Sequence, residues 1–376
     1  MTKIVIVAGE ASGDQHAAHL IREINKRNPS IQFSGIGGEK MSAEGVHLIR
    51  DLKDLNVMGF TEVVRHIRVI YKIFRQIEAY LRENRPDALI LVDYPGFNLR
   101  LAKKAKAMGI KVIYYISPQL WAWKPGRMKI IQESIDLMGV ILPFEKKMYD
   151  DAGVPAYFVG HPLIQTVKTT LSDTEVRNKW HLSRDKKIIG LLPGSRQGEI
   201  KRIFPIMIKA AEKLQQQNPE LEFGLLMAPT ISQKNFAHYL QQSSLKLHFI
   251  SSDHYDFIHA CHSLMITSGT ATLEAALLEK PMVITYKTSQ LNYLMGKKLI
   301  RVKYIGLCNI LANKMIIPEM IQHDLTPDNL FDAMQRFIDD PIYYHQTKKE
   351  LASVKLLLTA STTNQTLAEL VLEQVI

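Results

Sequence analysis

Alternation constrains this chain more than any other feature. Near-continuous apolar runs fall at 3–8, 31–36, 88–93, 110–116, 136–142, 187–192, 222–228, 246–250 and 281–286. Between them lie stretches with helical spacing, at 15–27, 61–84, 98–108, 203–217 and 270–279. Runs such as ALILV and KVIYYI place apolar side chains at successive positions, so both faces of each strand must be covered. Helices between strands supply that cover and act as crossovers between parallel neighbours. The expected fold class is therefore α/β with mostly parallel sheets. At 376 residues the chain is long for one domain. A polar, charged stretch around 160–186 precedes a fresh strand run at 187, which predicts two domains, 1–165 and 166–345. The C-terminal part, about 346–376, has an apolar stripe that suits either domain. Two parallel α/β domains are expected to hold ligand in a cleft at the carboxyl ends of their strands.

Composition narrows the function classes. The formal charge is +10, which suggests an anionic partner such as nucleic acid, a membrane surface or a phosphorylated substrate. Only Cys261 and Cys308 are present, so neither a disulfide framework nor a thiolate zinc site is implied, as suits a reducing cytoplasm. No signal peptide is visible ahead of the first strand run. No apolar segment approaches the ~20 residues of a membrane span, so any membrane contact is expected to be peripheral. GxGxxG, GxxxxGK[ST], HExxH and CxxC are all missing. Nothing in the spacing of the basic residues resembles a nucleic-acid-binding module.

Four strand ends carry candidate chemistry. In ITSGTATLEAALLEKPMV (266–283) a strand runs into Ser268, Gly269, Thr270 and Ala271 at a helix start, where N–H groups and the dipole favour a diphosphate. Glu274, one turn in, is placed to accept both hydroxyls of a ribose. A plain helix cap by Ser268 or Thr270 fits the same letters. In LLPGSRQGEI (191–200) Ser195 and Arg196 follow a Pro-Gly turn; Arg196 can pair with phosphate oxygens and neutralise a leaving diphosphate, or simply pair with Glu199. In ALILVDYPGFN (88–98) the strand ends at Asp93, which suits a general base on a hydroxyl or a turn cap. The first loop, VAGEASGD (7–14), resembles a nucleotide loop yet carries Glu10 and Asp14, the wrong sign for pyrophosphate. If the diphosphate belongs to 191–196 and 268–274, these acids, with Ser12, can hold sugar hydroxyls or a catalytic neighbour, while Gly9 and Gly13 let the backbone come close.

Two further segments suggest contact with lipid. YYISPQLWAWKPGR (114–127) pairs Trp121 and Trp123 with Lys124 and Arg127, a pattern for stacking or amphipathic contact that core packing of the Trp pair also explains. Segment 55–85 sets Arg65, Arg68, Lys72 and Arg75 beside an apolar face. That composition suits an interfacial helix on an anionic membrane, or a helix packed on its own sheet with a solvated basic face.

VAGEASGD (7–14), LVDYPGFN (91–98), ISPQLWAW (116–123), LPFE (142–145), GHP (160–162), LLPGSR (191–196) and SGTATLE (268–274) occur together and in order. From residue 3 to about 315 this set resembles lipid-A-disaccharide synthases of Gram-negative bacteria. The resemblance implies a GT-B fold, two Rossmann-like domains with parallel sheets facing a central cleft; in that fold the chain often crosses back to the first domain at its end. It implies an inverting transfer from UDP-2,3-diacylglucosamine to 2,3-diacylglucosamine 1-phosphate (lipid X), with UDP a product and neither cofactor nor metal required. By motif, Ser195, Arg196, Ser268, Gly269, Thr270, Ala271 and Glu274 would contact UDP, with Asn309 of GLCNIL nearby. Asp93 would be the base and Glu10 a cleft residue needed for activity, while Ser12, Gly13, Asp14, Asn98 and Trp121 would line the acceptor side. Some members carry a second acid where Gly96 stands, so Asp93 is the sole acid of its turn here. The partners implied are the two lipid sugars and the anionic cytoplasmic face of the inner membrane, not nucleic acid; oligomeric state stays open. A UDP-N-acetylglucosamine 2-epimerase of the same fold, or a non-catalytic basic membrane- or nucleic-acid-binding protein, remain the alternatives.

Overall fold

The computed structural model describes residues 1–54, 60–122, 125–229, 231–299, 302–359 and 365–375, without the side chains of 60–67, 125, 291, 295, 298 and 299. Two compact units emerge: Met1–Pro162 with Ala360–Ile376, and Leu163–Thr359. The first contains β1 (Lys3–Ala8), β2 (Gln32–Gly37), β3 (His47–Asp51), β4 (Ala88–Val92), β5 (Lys111–Tyr115), β6 (Leu137–Val140) and β7 (Ala156–Phe158). Their order across the sheet is β3-β2-β1-β4-β5-β6-β7. The second contains β8 (Ile188–Leu192), β9 (Glu222–Leu226), β10 (Leu247–Ile250), β11 (Ser263–Thr267), β12 (Met282–Tyr286) and β13 (Glu319–Ile321), in the order β10-β9-β8-β11-β12-β13. Every pairing is parallel.

The apolar runs explain the layering. β1, β4 and β8 are buried almost throughout, because helices lie on both faces of each sheet. In the first unit, helix Phe60–Asn84 sends Ile73, Ile77 and Leu81 against one face, at the four-residue spacing of a helical stripe. Helix Ala11–Arg27 covers the other face through Ala17, Ile21 and Ile24. Leu367, Ala368, Leu370 and Val371 of the last helix, Leu367–Val375, join that same cluster. Arg27 also pairs with Glu369 at 3.1 Å. The preceding helix, Pro341–Thr359, lies within the second unit, so the chain leaves the second unit after Thr359 and its final helix completes the core of the first.

Three strands, β3, β7 and β13, lack the long apolar run that marks the others. Each lies at a sheet edge and pairs on one side only, and β7 and β13 have just three residues each. An edge strand is half-wetted, so its sequence mixes polar with apolar residues.

The packing of the last helix makes a stability prediction. Leu370 is 2% exposed. Leu370→Ala is expected to cost about 2–4 kcal/mol. A denaturant titration followed by a probe in the first unit would register this as a lower midpoint.

Candidate active site

Strand order places the candidate residues. The order of the first sheet reverses between β1 and β4, and that of the second between β8 and β11. A crevice opens at the carboxyl ends of strands at such a switch point. The loop with Glu10 follows β1, Asp93 follows β4, Gly194–Arg196 follows β8 and Ser268–Thr270 follows β11.

In the first unit the chain turns sharply at Asp93 and Tyr94, which hold φ values of 49° and 48°. Two consecutive non-glycine residues in the left-handed region are costly, so the surroundings must enforce them. Tyr114 Oη donates to the Asp93 carbonyl at 2.6 Å, and Asn98 Nδ2 donates to the same oxygen at 2.7 Å. Pro95 then opens helix Pro95–Ala107. The Asp93 carboxyl is pushed up to about 6, chiefly by burial and next by the negative charge of Glu10, against the pull of the Tyr94 N–H. A carboxylate with that affinity for protons is a competent base near neutral pH.

In the second unit a recess of about 540 Å³ is lined by Gly194, Ser195, Arg196 and Glu199 on the β8 side and by Thr267, Ser268, Gly269, Thr270, Ala271 and Glu274 on the β11 side. Met227, Pro229, His254 and Tyr255 also line it. Gly269 is the N-cap of helix Thr270–Leu277 and no side chain caps that helix, so capping does not consume its first N–H groups. Those groups and the dipole favour an anion. Tyr255 Oη donates to Glu274 Oε1 at 3.2 Å; burial raises the Glu274 pKa, which Tyr255 and His254 partly offset. Arg196 is largely exposed and forms an ion pair with Glu199 at 3.2 Å. Glu199 also accepts the N–H groups of Ser195 and Arg196 at 3.1 and 3.2 Å. An exposed pair of this kind is weak, and the guanidinium has donors beyond it. Gly194 has φ 108°, and a Cβ there would lie 2.5 Å from Glu199 Oε2, so this tight turn requires glycine.

Residues 4–374 match the family model described as lipid-A-disaccharide synthetase. The chain belongs to this family. It is 43% identical over 371 residues to the lipid-A-disaccharide synthase of Geobacter sulfurreducens, covering 99% of this chain and 97% of that one. Against the enzyme of the same name from Nitrosococcus oceani it is 45% identical over 367 residues, covering 98% and 95%. Among solved structures, a UDP-GlcNAc 2-epimerase from Neisseria meningitidis bound to UDP-GlcNAc aligns with a TM-score of 0.62 at 14% identity, over 99% of each chain. The calicheamicin glycosyltransferase aligns with a TM-score of 0.59 at 12% identity, over 94% of this chain and 95% of the other. The fold is the GT-B fold of those enzymes.

Several motif residues of this synthetase-family chain have their side chains engaged elsewhere. Asp14, expected to face sugar hydroxyls, is buried and accepts N–H bonds from Gly38, Lys40 and Met41 at 2.7, 3.2 and 3.2 Å. It fastens the loop after β2 and caps the short helix Glu39–Ala43. Gly9 makes room for a ring rather than a sugar: a Cβ there would lie 2.5 Å from Tyr94. Gly13 sits inside helix Ala11–Arg27, facing Ala8 and Val92. Asn98 is fully buried beneath Asp93, not on an open surface. Trp121 donates to the buried Glu145 at 3.0 Å and meets Phe144 edge-on at 5.2 Å. Asn309 lies outside the recess: its amide donates to Ile317 and Glu319 and accepts from Ile316 and Ile317, which uses the whole side chain. Glu10 and Ser12 are exposed at the start of helix Ala11–Arg27.

On helix Phe60–Asn84, Arg68, Lys72 and Arg75 are exposed beside Val69 and Tyr71. Arg75 pairs with the buried Glu78 at 3.0 Å, which Arg82 and Lys104 also approach. The Arg65 side chain, residues 55–59, Trp123 and Lys124 lie outside the described residues. Among the described residues no helix is long and apolar enough to cross a membrane, and no group of three or more His, Cys, Asp or Glu could hold a metal.

Tyr255, His254 and Tyr114 carry no motif signal. Tyr255 reaches Glu274 from nineteen residues away, and Tyr114 hides in an apolar strand.

The role of Asp14 is checkable. Asp14→Ala strands buried N–H groups, at a cost of about 1–3 kcal/mol. A lowered melting temperature is expected; unchanged stability with weakened substrate binding would return Asp14 to the sugar-binding role.

Proposed function

We propose that the chain joins UDP-2,3-diacylglucosamine to 2,3-diacylglucosamine 1-phosphate, forming the β-1,6-linked disaccharide 1-phosphate of lipid A and releasing UDP. Membership of the synthetase family carries this reading. The recess at the β8/β11 switch point supports it as the UDP site, since its lining supplies a carboxylate for ribose and an arginine with free helix N–H groups for phosphate.

A single inverting displacement needs a base for the attacking hydroxyl and stabilisation of the leaving diphosphate. Asp93 takes the proton of the acceptor hydroxyl as that oxygen attacks the anomeric carbon. Glu10 raises the proton affinity of Asp93 through its negative charge. As the C–O bond to the diphosphate breaks, negative charge grows on UDP, and Arg196 with the N–H groups at Thr270 and Ala271 stabilises it. Glu274 fixes the ribose. No metal enters this scheme.

The protein is assigned to the cytoplasmic face of the inner membrane, held peripherally through helix Phe60–Asn84 and the formal charge of +10. Exposed Val69 and Tyr71 beside Arg68, Lys72 and Arg75 support this. Washing membranes in high salt is expected to release part of the protein, because screening shortens the reach of exposed charges; complete insensitivity to salt would replace the electrostatic account with apolar insertion.

The decisive assay mixes the two diacylated sugars and follows disaccharide by mass spectrometry. Folded protein that makes none, or that turns over UDP-N-acetylglucosamine with no acceptor, would refute the assignment. Asp93→Asn is expected to lower turnover ~100-fold or more with UDP binding little changed. Glu274→Ala is expected to weaken UDP binding by about 10- to 100-fold, the scale of a charge-assisted hydrogen bond. Because Asp93 must be ionised to act and its pKa is about 6, kcat/KM is expected to fall as pH drops through about 6. A flat profile from pH 5 to 8 would remove Asp93 from the base role.

A further inference from the structure

We propose that Asn98 and Tyr114 are positioning residues for the reaction, which aim the Asp93 carboxylate by clamping its main-chain carbonyl in the left-handed turn. The inference rests on the reading of Asp93 as the base.

Three hydrogen bonds pin this residue. The Asp93 N–H donates to Tyr115 O at 3.0 Å, which continues the sheet one residue beyond β4. On its other side, the carbonyl accepts from Tyr114 Oη at 2.6 Å and Asn98 Nδ2 at 2.7 Å. With both peptide groups fixed, the left-handed φ of 49° is held. That conformation brings the Tyr94 N–H to the Asp93 carboxylate. The carboxylate is thus oriented by a bond that exists only while the turn holds its shape.

Asn98 makes a telling compromise. Its Nδ2 also donates to Val92 O at 3.2 Å, so the amide serves two carbonyls. Reversing the amide would set its oxygen against both carbonyl oxygens, so the orientation is fixed by charge. As a result Asn98 Oδ1 is buried without a hydrogen-bond partner among the described residues. A buried acceptor left unpaired costs stability, and few are tolerated in a folded chain. That cost is set against control of the Asp93 turn. Tyr114 is likewise fully buried, and burial raises its pKa well above the ordinary range, so it stays a neutral donor.

The charged and titratable groups that act on the Asp93 carboxyl are Glu10, from the loop after β1, and the N–H of Tyr94 within the turn; Tyr114, from β5, meets the carbonyl. Losing the clamp frees the Tyr94 N–H, which favours the ionised carboxylate. The acid limb of the pH profile should therefore move to higher pH.

The test compares Tyr114→Phe, which keeps the ring, with Asn98→Ala, using the two diacylated sugars and full-length protein. Expected are a kcat lower by about 3- to 10-fold for Tyr114→Phe and about 10- to 100-fold for Asn98→Ala, the scale of a misplaced reacting group, with KM little changed. An acid limb shifted upward and UDP affinity equal to the parent complete the signature. In an Asp93→Asn background neither substitution should lower kcat further. If Asp93→Asn itself retains turnover, the base reading fails. If Asp93→Asn is inactive while Tyr114→Phe and Asn98→Ala keep the parent kcat and acid limb, the positioning proposal is overturned. Equal losses in the Asp93→Asn background would also overturn it, because they would mark a general structural role.

Discussion

The constraint on which the rest depends is that every strand pairing in both sheets is parallel. Parallel strands all end on one rim, and consecutive parallel strands need a crossover, here helical. Where the strand order reverses, two crossovers leave in opposite directions and the loops at the rim part. In this chain those reversals are β1/β4 and β8/β11. The loop with Glu10 and the Asp93 turn flank the first reversal; the Gly194–Arg196 turn and the Ser268–Thr270 loop flank the second. Apolar strands with no chemistry of their own thus deliver polar residues in pairs.

The two reversals do different electrostatic work. At β8/β11 the first turns of helices and a guanidinium offer positive potential, the environment a diphosphate requires. At β1/β4 burial and the negative charge of Glu10 favour a bound proton on Asp93, whose carboxyl rises to about 6. This division resolves the puzzle of acids in a nucleotide-like first loop. Glu10 acts on Asp93 through its charge, while Asp14 serves the fold by holding the loop at Gly38 and Met41.

Sequence alone conveys the α/β class, the long central strands and the major helices, because burial on both faces leaves an unbroken apolar run. The edge strands β3, β7 and β13 escape notice because their sequences mix polar with apolar residues, whereas the edge strand β10 keeps a run that marks it. Motif spacing points to the loops at the two switch points but not to how each side chain is engaged. Asp14 and Asn309 find their partners at Gly38 and Glu319, and no local rule reveals those bonds. The consecutive left-handed residues Asp93 and Tyr94 are equally hidden, because neither is a glycine. Their conformation depends on Tyr114, a residue that reads as one more apolar strand position.

Central to this account is a one-step displacement in which Asp93 removes a proton and forms no bond to sugar. The most direct measurement is the configuration of the new glycosidic bond, read by proton NMR as the α-linked UDP sugar is consumed. The account expects the β-anomer from the first turnover. An α-linked product, or a sugar covalently attached to Asp93, would contradict it.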